Sequence, residues 1–506
     1  MAVTVRETER KYDLDEDAAL PPWPEPADAA GSQEFVLEAI YFDTADLRLA
    51  ADGVTLRRRR GGADSGWHLK LPVAADCRDE IRVGFTRGEA GRRSPRPPDE
   101  LVRLVRGFTR GRPLVPVAEL TTRRRQWRLT DDSGRGLVTV VDDHVTAHTM
   151  GVSTEARSWR EVEVELDEAG DTRLLDRFDR RLRKAGVRRS EAPSKLARVL
   201  GDRIPAARRP GPDRSATLGA VVLAYLAEQA RVIRTGDPAV RREVPDAVHR
   251  MRVATRRMRS ALQAFGAVVD RDATGDLAAE LKWLAAVLGV ARDLEVLEAR
   301  ILAAVAALPD ELVLGPVAAQ VTRYFTGRRV LARDEVLAAL DGERYLALLT
   351  AIDRLLDTPP LTPAAGRRAR PRLGAFLDRS HRRVDTHLRA AERRGPDVER
   401  DIQLHDARKA AKRLRYAAEA AAPVLGEPAR ALIRQVRQVQ ELLGERQDAI
   451  VALPVLRELG AAAALEGGNG FTFGVLHQQE HQALTATTWT PVRRALGRAA
   501  RGATAR

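Results

Sequence analysis

Near residue 205 the sequence changes its period, and that change constrains the fold more than any other feature. From residue 1 to about 200, short alternating runs at 3–12, 54–60, 67–71, 126–129, 137–141 and 159–166 are separated by Gly, Asp and Pro, the texture of strands and turns. A helical period at 171–185 closes this part. The stretch 204–213, IPAARRPGPD, carries three prolines and a glycine and reads as a linker. Beyond it, apolar positions recur at helical spacing in long Ala/Leu/Arg segments. With 506 residues, 44% of them hydrophobic, the chain can bury more than one core. The expected fold class is multidomain α+β, a strand-rich part followed by an all-α part.

Composition removes several functions. The lone Cys77 excludes an intramolecular disulfide and a cysteine zinc site, and suits a reducing compartment. The charged start MAVTVRETERKYDL lacks the apolar centre of a signal peptide, and no run approaches the roughly 18–20 apolar residues of a membrane span. A cytoplasmic protein without a membrane partner is expected. The formal charge of +14 is unevenly shared: residues 1–200 hold 36 basic and 35 acidic side chains, so nearly all the excess lies beyond them. Of 85 basic residues 78 are arginine. A GC-rich bacterial genome accounts for much of that count, but not for where the arginines sit relative to one another.

In the strand-rich part, charges recur at period two. Glu7, Glu9 and Lys11 stand at i, i+2, i+4, and the same spacing joins Arg57 with Arg59, Arg78 with Glu80, Arg123 with Arg125, and Glu161 with Glu163 and Glu165. Side chains two apart on a strand share a face. Several strands presenting charges on one face imply a closed barrel with a hydrophilic interior. Carboxylates there supply hard oxygen ligands for Mg²⁺ or Mn²⁺, and rows of Arg and Lys neutralise phosphate oxygens. That combination suits phosphoryl hydrolysis without a covalent nucleophile. The other reading, cross-strand ion pairs on a solvated face, is worth roughly 0.2–1 kcal/mol per pair. In the runs LRRRR and TRRR a slip of one residue would exchange inside for outside. Asp143 and Glu165 fit either the interior or the outer face.

The helical part contains an internal repeat. HRMRVATRRMR from His249 matches HDARKAAKRLR from His405 at an offset of 156, and each is followed by a second signature, LGVARD at 288–293 and LGERQD at 443–448. At 100° per residue His249, Arg252, Arg256 and Arg259 fall within an arc of roughly 80° on one helix face, and His405, Arg408, Lys412 and Arg415 repeat it. Like charges stacked this way repel, so a polyanion running along both faces is the expected compensation. Asp293 and Asp448 are read as orienting the arginines or capping a turn. His381, His387, His477 and His481 show no duplication and are read as ordinary histidines. Few aromatics and no nucleic-acid-reading motif argue against a specific nucleic-acid partner.

These residues carry two resemblances. ETERK at 7–11, YFDT at 41–44, LRRRR at 56–60, GWHLKLP at 66–72, RDE at 78–80, TTRRRQWRL at 121–129, SWREVEVEL at 158–166 and the pair Ser194–Lys195 resemble, in order, the CYTH domain. The resemblance implies an antiparallel eight-stranded tunnel over 1–203 that binds a triphosphate and hydrolyses it with Mg²⁺ or Mn²⁺. It implies Glu7, Glu9 and Lys11 as catalytic residues and Glu7, Glu9, Glu161 and Glu163 as metal ligands. It further implies Lys11, Arg57, Arg59, Lys70, Arg78, Arg123, Arg125 and Lys195 as triphosphate contacts, with Glu80 on an acidic strand position. The repeat is similar to the two halves of a CHAD domain, implying over 214–500 two pseudo-symmetric four-helix bundles, with copies starting near 215 and 372, that bind inorganic polyphosphate. The implied contacts are His249, Arg252, Arg256, Arg259, His405, Arg408, Lys412 and Arg415; Arg257 and Arg413 point away from the arc. Together the resemblances imply a triphosphatase, inorganic triphosphate being the first substrate, held on polyphosphate granules. The alternatives are a polyphosphate-binding scaffold with a weak tunnel, or an enzyme acting on nucleoside or thiamine triphosphates.

Overall fold

The computed structural model describes residues 3–23, 28–86, 96–151, 154–205, 215–394, 398–486 and 490–504. The chain divides into two compact units, Met1–Ala207 and Arg208–Arg506. Of the expected linker, 206–213 lies outside the described residues.

The first unit is built on β1 (Val3–Leu14), β2 (Asp28–Asp43), β3 (Thr55–Arg60), β4 (Gly66–Ala74), β5 (Cys77–Val83), β6 (Val115–Thr130), β7 (Gly136–Thr149) and β8 (Ala156–Leu166), with a short β9 (Arg188–Arg189). The sheet runs β5-β4-β3-β2-β6-β7-β8-β1-β9, and β5 pairs again with β1 to close an eight-stranded barrel in which every pairing is antiparallel. Four helices accompany it: α1 (Arg48–Ala51), α2 (Asp99–Thr109), α3 (Thr172–Lys184) and α4 (Lys195–Leu200).

The barrel inverts the usual arrangement, placing charge inside and oil outside. In β1, Glu7, Glu9 and Lys11 share the inner face, while Tyr12 and Leu14 on the outer face pack with Val138, Val140, Val162 and Val164 beneath Leu174, Leu175, Phe178 and Leu182 of α3. Asp171, the expected start of that helix, accepts a hydrogen bond from the Arg173 amide as its N-cap. Around the barrel, Leu56, Trp67, Leu69 and Ile81 pack outward against Leu101, Val105 and Phe108 of α2. Each such side chain contributes roughly 1.5–3 kcal/mol on burial. These outer layers offset the cost of a charged interior. At one end, Leu196, Val199 and Leu200 of α4 pack on Tyr41, Leu120, Ala147 and Trp159.

The second unit is helical: α5 (Leu218–Arg241), α6 (Ala247–Ala264), α7 (Gly275–Ala306), α8 (Val317–Asp341), α9 (Glu343–Asp357), α10 (Ala369–Glu392), α11 (Val398–Leu425), α12 (Glu427–Leu465), α13 (Phe471–Ala486) and α14 (Thr490–Thr504). Helices α5 to α8 pack in succession, and α10 to α13 repeat the arrangement. The two sets share one main core rather than closing separate ones: Met251, Met258 and Leu284 of the first copy lie in the same cluster as Ala407, Leu414 and Val436 of the second. Alanines at the buried positions of α11 permit this close packing.

Candidate triphosphate tunnel and basic helical face

The barrel interior sorts its charges into two neighbourhoods. On β3 and β6, Arg57 donates to the Tyr41 hydroxyl at 3.3 Å and lies 3.5 Å from Glu80, while Arg59 pairs with Asp64. Burial and the adjacent Arg57 and Arg124 lower the Arg59 guanidinium to about 10, a large displacement for a group that normally stays charged. On β1 and β8 the opposite holds. Burial together with the nearby Glu7, Glu9 and Glu163 pushes the Glu165 carboxyl up to about 7, even with Lys70 opposing.

Between them runs a ladder of ion pairs. Lys70 donates to Glu7 at 2.5 Å and lies 3.7 Å from Glu80. Lys11 lies 3.0 Å from Glu9 and donates to Glu163. Arg78 lies 3.8 Å from Glu9 and donates to the Pro193 carbonyl. Glu163 titrates well below the ordinary range: burial alone would raise it, but Lys11, Lys195 and Arg124 outweigh that cost.

Asp143, Glu161 and Glu163 bring carboxylate oxygens within 4.8 Å of one another. The Lys195 ammonium, on the first residue of α4, lies 3.0, 2.7 and 2.8 Å from them. Ser194 fixes that lysine by capping α4, accepting from the Ala197 amide at 3.0 Å. Arg124 joins Lys195 on Asp143 and Glu163, and Lys11 joins it on Glu163, so the three carboxylates are held together by cations. Glu9 Oε1 and Glu161 Oε1 are also buried without a hydrogen bond in suitable geometry. Three carboxylates gathered within 4.8 Å form an all-oxygen donor set of the kind that suits a hard divalent cation such as Mg²⁺ or Mn²⁺.

The predicted residues are thus mostly assembled, with differences. Glu7, Glu9, Lys11, Arg57, Arg59, Lys70, Arg78, Glu161, Glu163 and Lys195 line one interior. The tightest carboxylate trio contains Asp143, and Glu7 and Glu9 stand outside it, beside Lys70 and Lys11. Arg123 and Arg125 require correction: both are exposed, and Arg125 lies over the Trp127 ring and donates to Ser32. Arg124 is the inward residue, donating to Asp143 at 2.8 and 2.7 Å and to Glu163 at 3.2 Å. The cause is parity along β6: Trp127 and Leu129 pack outward near α3, so odd-numbered positions face out. Asp143 and Glu165, left open by the sequence, both belong to the interior cluster.

Three features went unread. His68 is buried between Glu80, at 2.9 Å, and the Asp64 carbonyl, at 2.8 Å; its alternation with Trp67 and Leu69 was the available signal. Arg82 donates to Glu80 and lies 3.3 Å from Glu7. Asp43 of YFDT is structural: its carboxylate accepts from the amides of Thr44, Leu49 and Ala50, while burial raises it to about 6.

In the helical unit, the predicted contacts of the two copies meet. Burial, then the positive charges of Arg256, Arg408 and Arg252, lower Lys412 to about 7. Arg408 is lowered as well, by burial, with Arg256 and Arg252 opposing Asp448, and His249 is lowered by burial with Arg292, Arg252 and Arg256 nearby. Arg252, Arg256, Arg408 and Lys412 therefore share one electropositive site. Arg259 is half-buried on α6, and His405 is exposed on the same helix as Arg408. Arg415 turns aside to Glu419, at 2.9 Å, and Gln440, at 3.0 Å.

The second signatures form supports for this site. Asp293 accepts from Arg252 at 2.8 Å, and Asp448 acts electrostatically on Arg408. Gly289 passes beneath Arg252, where an added Cβ would lie 3.4 Å from the guanidinium, and Gly444 stands likewise 3.9 Å from Arg408. Each signature also supplies an ion pair, Arg292 with Asp246 at 3.4 Å and, one place earlier in its signature, Arg446 with Asp401.

Comparison with known proteins follows the same division. The CYTH domain model matches residues 5–200 and the CHAD domain model residues 224–457. Uncharacterised proteins of two Mycobacterium tuberculosis strains are each 38% identical, with 94% of this chain and 92% of the relative covered. Among solved structures, the CHAD domain of the plant Ricinus communis is 28% identical with a TM-score of 0.46, covering 58% of this chain and 96% of that one. PptA from Streptomyces chartreusis is 23% identical with a TM-score of 0.45, covering 56% and 99%. CYTH domains are metal-dependent triphosphate tunnels, and CHAD domains are linked to polyphosphate. Among the described residues no helix is long and apolar enough to cross a membrane. The chain belongs to the CYTH–CHAD proteins, with an amino-terminal CYTH domain followed by a CHAD helical domain.

Proposed function

We propose that the tunnel hydrolyses a triphosphate, inorganic triphosphate foremost, with Mg²⁺ or Mn²⁺, and that the basic face of α6 and α11 binds inorganic polyphosphate. The observation that carries this reading is the doubly unbalanced interior. Burial and the neighbouring Arg57 increase the acidity of Arg59 in spite of its pairing with Asp64, and burial beside Glu7, Glu9 and Glu163 decreases that of Glu165 in spite of Lys70. A phosphate chain relieves the first and a cation relieves the second, so a metal–triphosphate complex satisfies both.

Within this scheme Arg57, Arg59, Arg124 and Lys70 clamp the phosphate oxygens and Lys11 holds Glu9 and Glu163 apart. Glu161, Glu163 and Asp143 provide the metal ligands, with Glu9 beside them. Lys195 would share these carboxylates with the cation. A bound cation would supply Lewis-acid polarisation of the phosphoryl group and a more acidic water. Recognition confined to phosphate oxygens disfavours specific nucleic-acid binding. In the helical unit, Arg252, Arg256, Arg408 and Lys412 form the centre of the polyphosphate contact, with His249, Arg259 and His405 flanking it. This arrangement holds the enzyme on cytoplasmic polyphosphate granules.

The test is phosphate release from inorganic triphosphate by the full-length protein with Mg²⁺, Mn²⁺ or EDTA. Metal-dependent release faster than from ATP or thiamine triphosphate supports the reading. Absence of release by a folded protein that still binds polyphosphate selects the scaffold function instead.

A further inference from the structure

The two halves of the helical unit are related residue by residue, and at one place the relation is broken in a way that opens a binding pocket. At one junction between the copies, Glu419 fills its site: it accepts from Arg257 and Arg415, each at 2.9 Å, and from the Tyr225 hydroxyl at 3.2 Å, while Arg257 lies over the Tyr416 ring. The offset of 156 maps Arg257 onto Arg413, Tyr416 onto Ser260 and Glu419 onto Gln263. The starts of α5 and α10 map Tyr225 onto Phe376. At the equivalent junction, then, the arginine is kept while the carboxylate becomes an amide, the phenol loses its hydroxyl and the second ring is replaced by a serine.

The consequence is a cavity of about 790 Å³ lined in part by Gln263, Phe376 and Arg413, and additionally by Arg271, Arg379 and Arg383. No acidic side chain lines it. Among the described residues, Arg379, Arg383 and Arg413 have no carboxylate partner; Arg379 lies over the Phe376 ring, and Arg271 donates to the Gln263 carbonyl at 3.2 Å. Gly275, at the start of α7, adds the positive end of a helix dipole. The volume lies within the roughly 300–1,000 Å³ of small-ligand sites.

We infer that this pocket binds a small phosphate-bearing anion, whose phosphate takes the place that Glu419 fills at the equivalent junction between the copies. Four guanidinium groups without a carboxylate select a multiply charged phosphate, and bidentate guanidinium–phosphate contacts supply orientation as well as charge. None of the eight predicted polyphosphate contacts lines the pocket, so the inference stands independently of the polyphosphate reading.

The experiment is calorimetric titration of the full-length protein, in EDTA, with inorganic pyrophosphate and separately with ATP, accompanied by hydrogen exchange at 274–278. Saturable binding that protects 274–278 is expected, and tighter binding of one probe tells bare phosphate from nucleotide. Gln263→Glu reinstates the internal carboxylate; it should weaken binding by about tenfold or more and abolish the protection, as should Arg413→Gln. Arg252→Gln combined with Arg408→Gln removes probe binding at the polyphosphate face and should leave the protection at 274–278 in place. Binding without protection there, or protection unaffected by Gln263→Glu and Arg413→Gln in folded variants, overturns the inference.

Discussion

The barrel interior and the face shared by α6 and α11 both gather basic side chains, but they balance charge differently. Inside the barrel each cation has carboxylates within reach: Lys70 has Glu7 and Glu80, and Lys195 has Asp143, Glu161 and Glu163. On the helical face the balance fails, and Lys412 loses affinity for its proton because burial, and after it the positive Arg256, Arg408 and Arg252, outweigh Asp448. A site of mixed sign is fitted by a metal and a phosphate chain arriving together, whereas a site of one sign is fitted by the polyanion alone. The contrast also forecasts salt sensitivity, since affinity at an exposed basic face falls with counterion concentration more steeply than affinity in an enclosed, internally paired site.

The largest expected effect breaks the mixed-sign site. Glu163→Gln removes a carboxylate shared by Lys11, Lys195 and Arg124, and metal-dependent phosphate release should fall on the order of 10³-fold while polyphosphate binding persists. Release near the wild-type rate would remove Glu163 from the site. Next, Arg252→Gln together with Arg408→Gln should weaken polyphosphate binding by about 100-fold at low salt, roughly 1.4 kcal/mol per lost charge-assisted contact. Hydrolysis by that variant should stay at the wild-type rate, and a filter-binding titration beside a phosphate assay reads both.

A finer test uses neighbours on β6. Arg124→Gln should lower kcat/KM for triphosphate by about tenfold or more, and Arg123→Gln should leave it unchanged, because only the first faces the interior. Equal losses would mean that the strand's parity is wrong. The smallest effect concerns pH. Lys412 is held near pKa 7, and a bound polyanion favours its charged form, so binding takes up a proton once the free group has lost it. Polyphosphate affinity should therefore weaken as pH rises through 7, by at most about tenfold per unit for one proton. Lys412→Arg should flatten that dependence, and binding isotherms at pH 6, 7 and 8 would show it.

Much of this organisation was legible from spacing, for definite reasons. Glu7, Glu9 and Lys11 announced an inward charged face because polar residues at period two have no other economical place on a strand with Tyr12 and Leu14 opposite. The duplicated His249 and His405 segments announced related helices. Three consecutive arginines at 123–125 carry no parity of their own, so the inward Arg124 was hidden, although Trp127 and Leu129 downstream encoded the answer. His68 was masked by apolar neighbours on both sides. The Arg257–Glu419 contact joins residues from the two copies, and spacing within a single helix cannot reveal it.

The central claim is that hydrolysis and polyphosphate binding reside in separate charge arrangements. Its most direct test is phosphate release from inorganic triphosphate by Glu9→Gln, with polyphosphate binding measured on the same folded preparation. The account predicts that metal-dependent release disappears and binding is unchanged. Retained release, or loss of binding along with it, would contradict the separation.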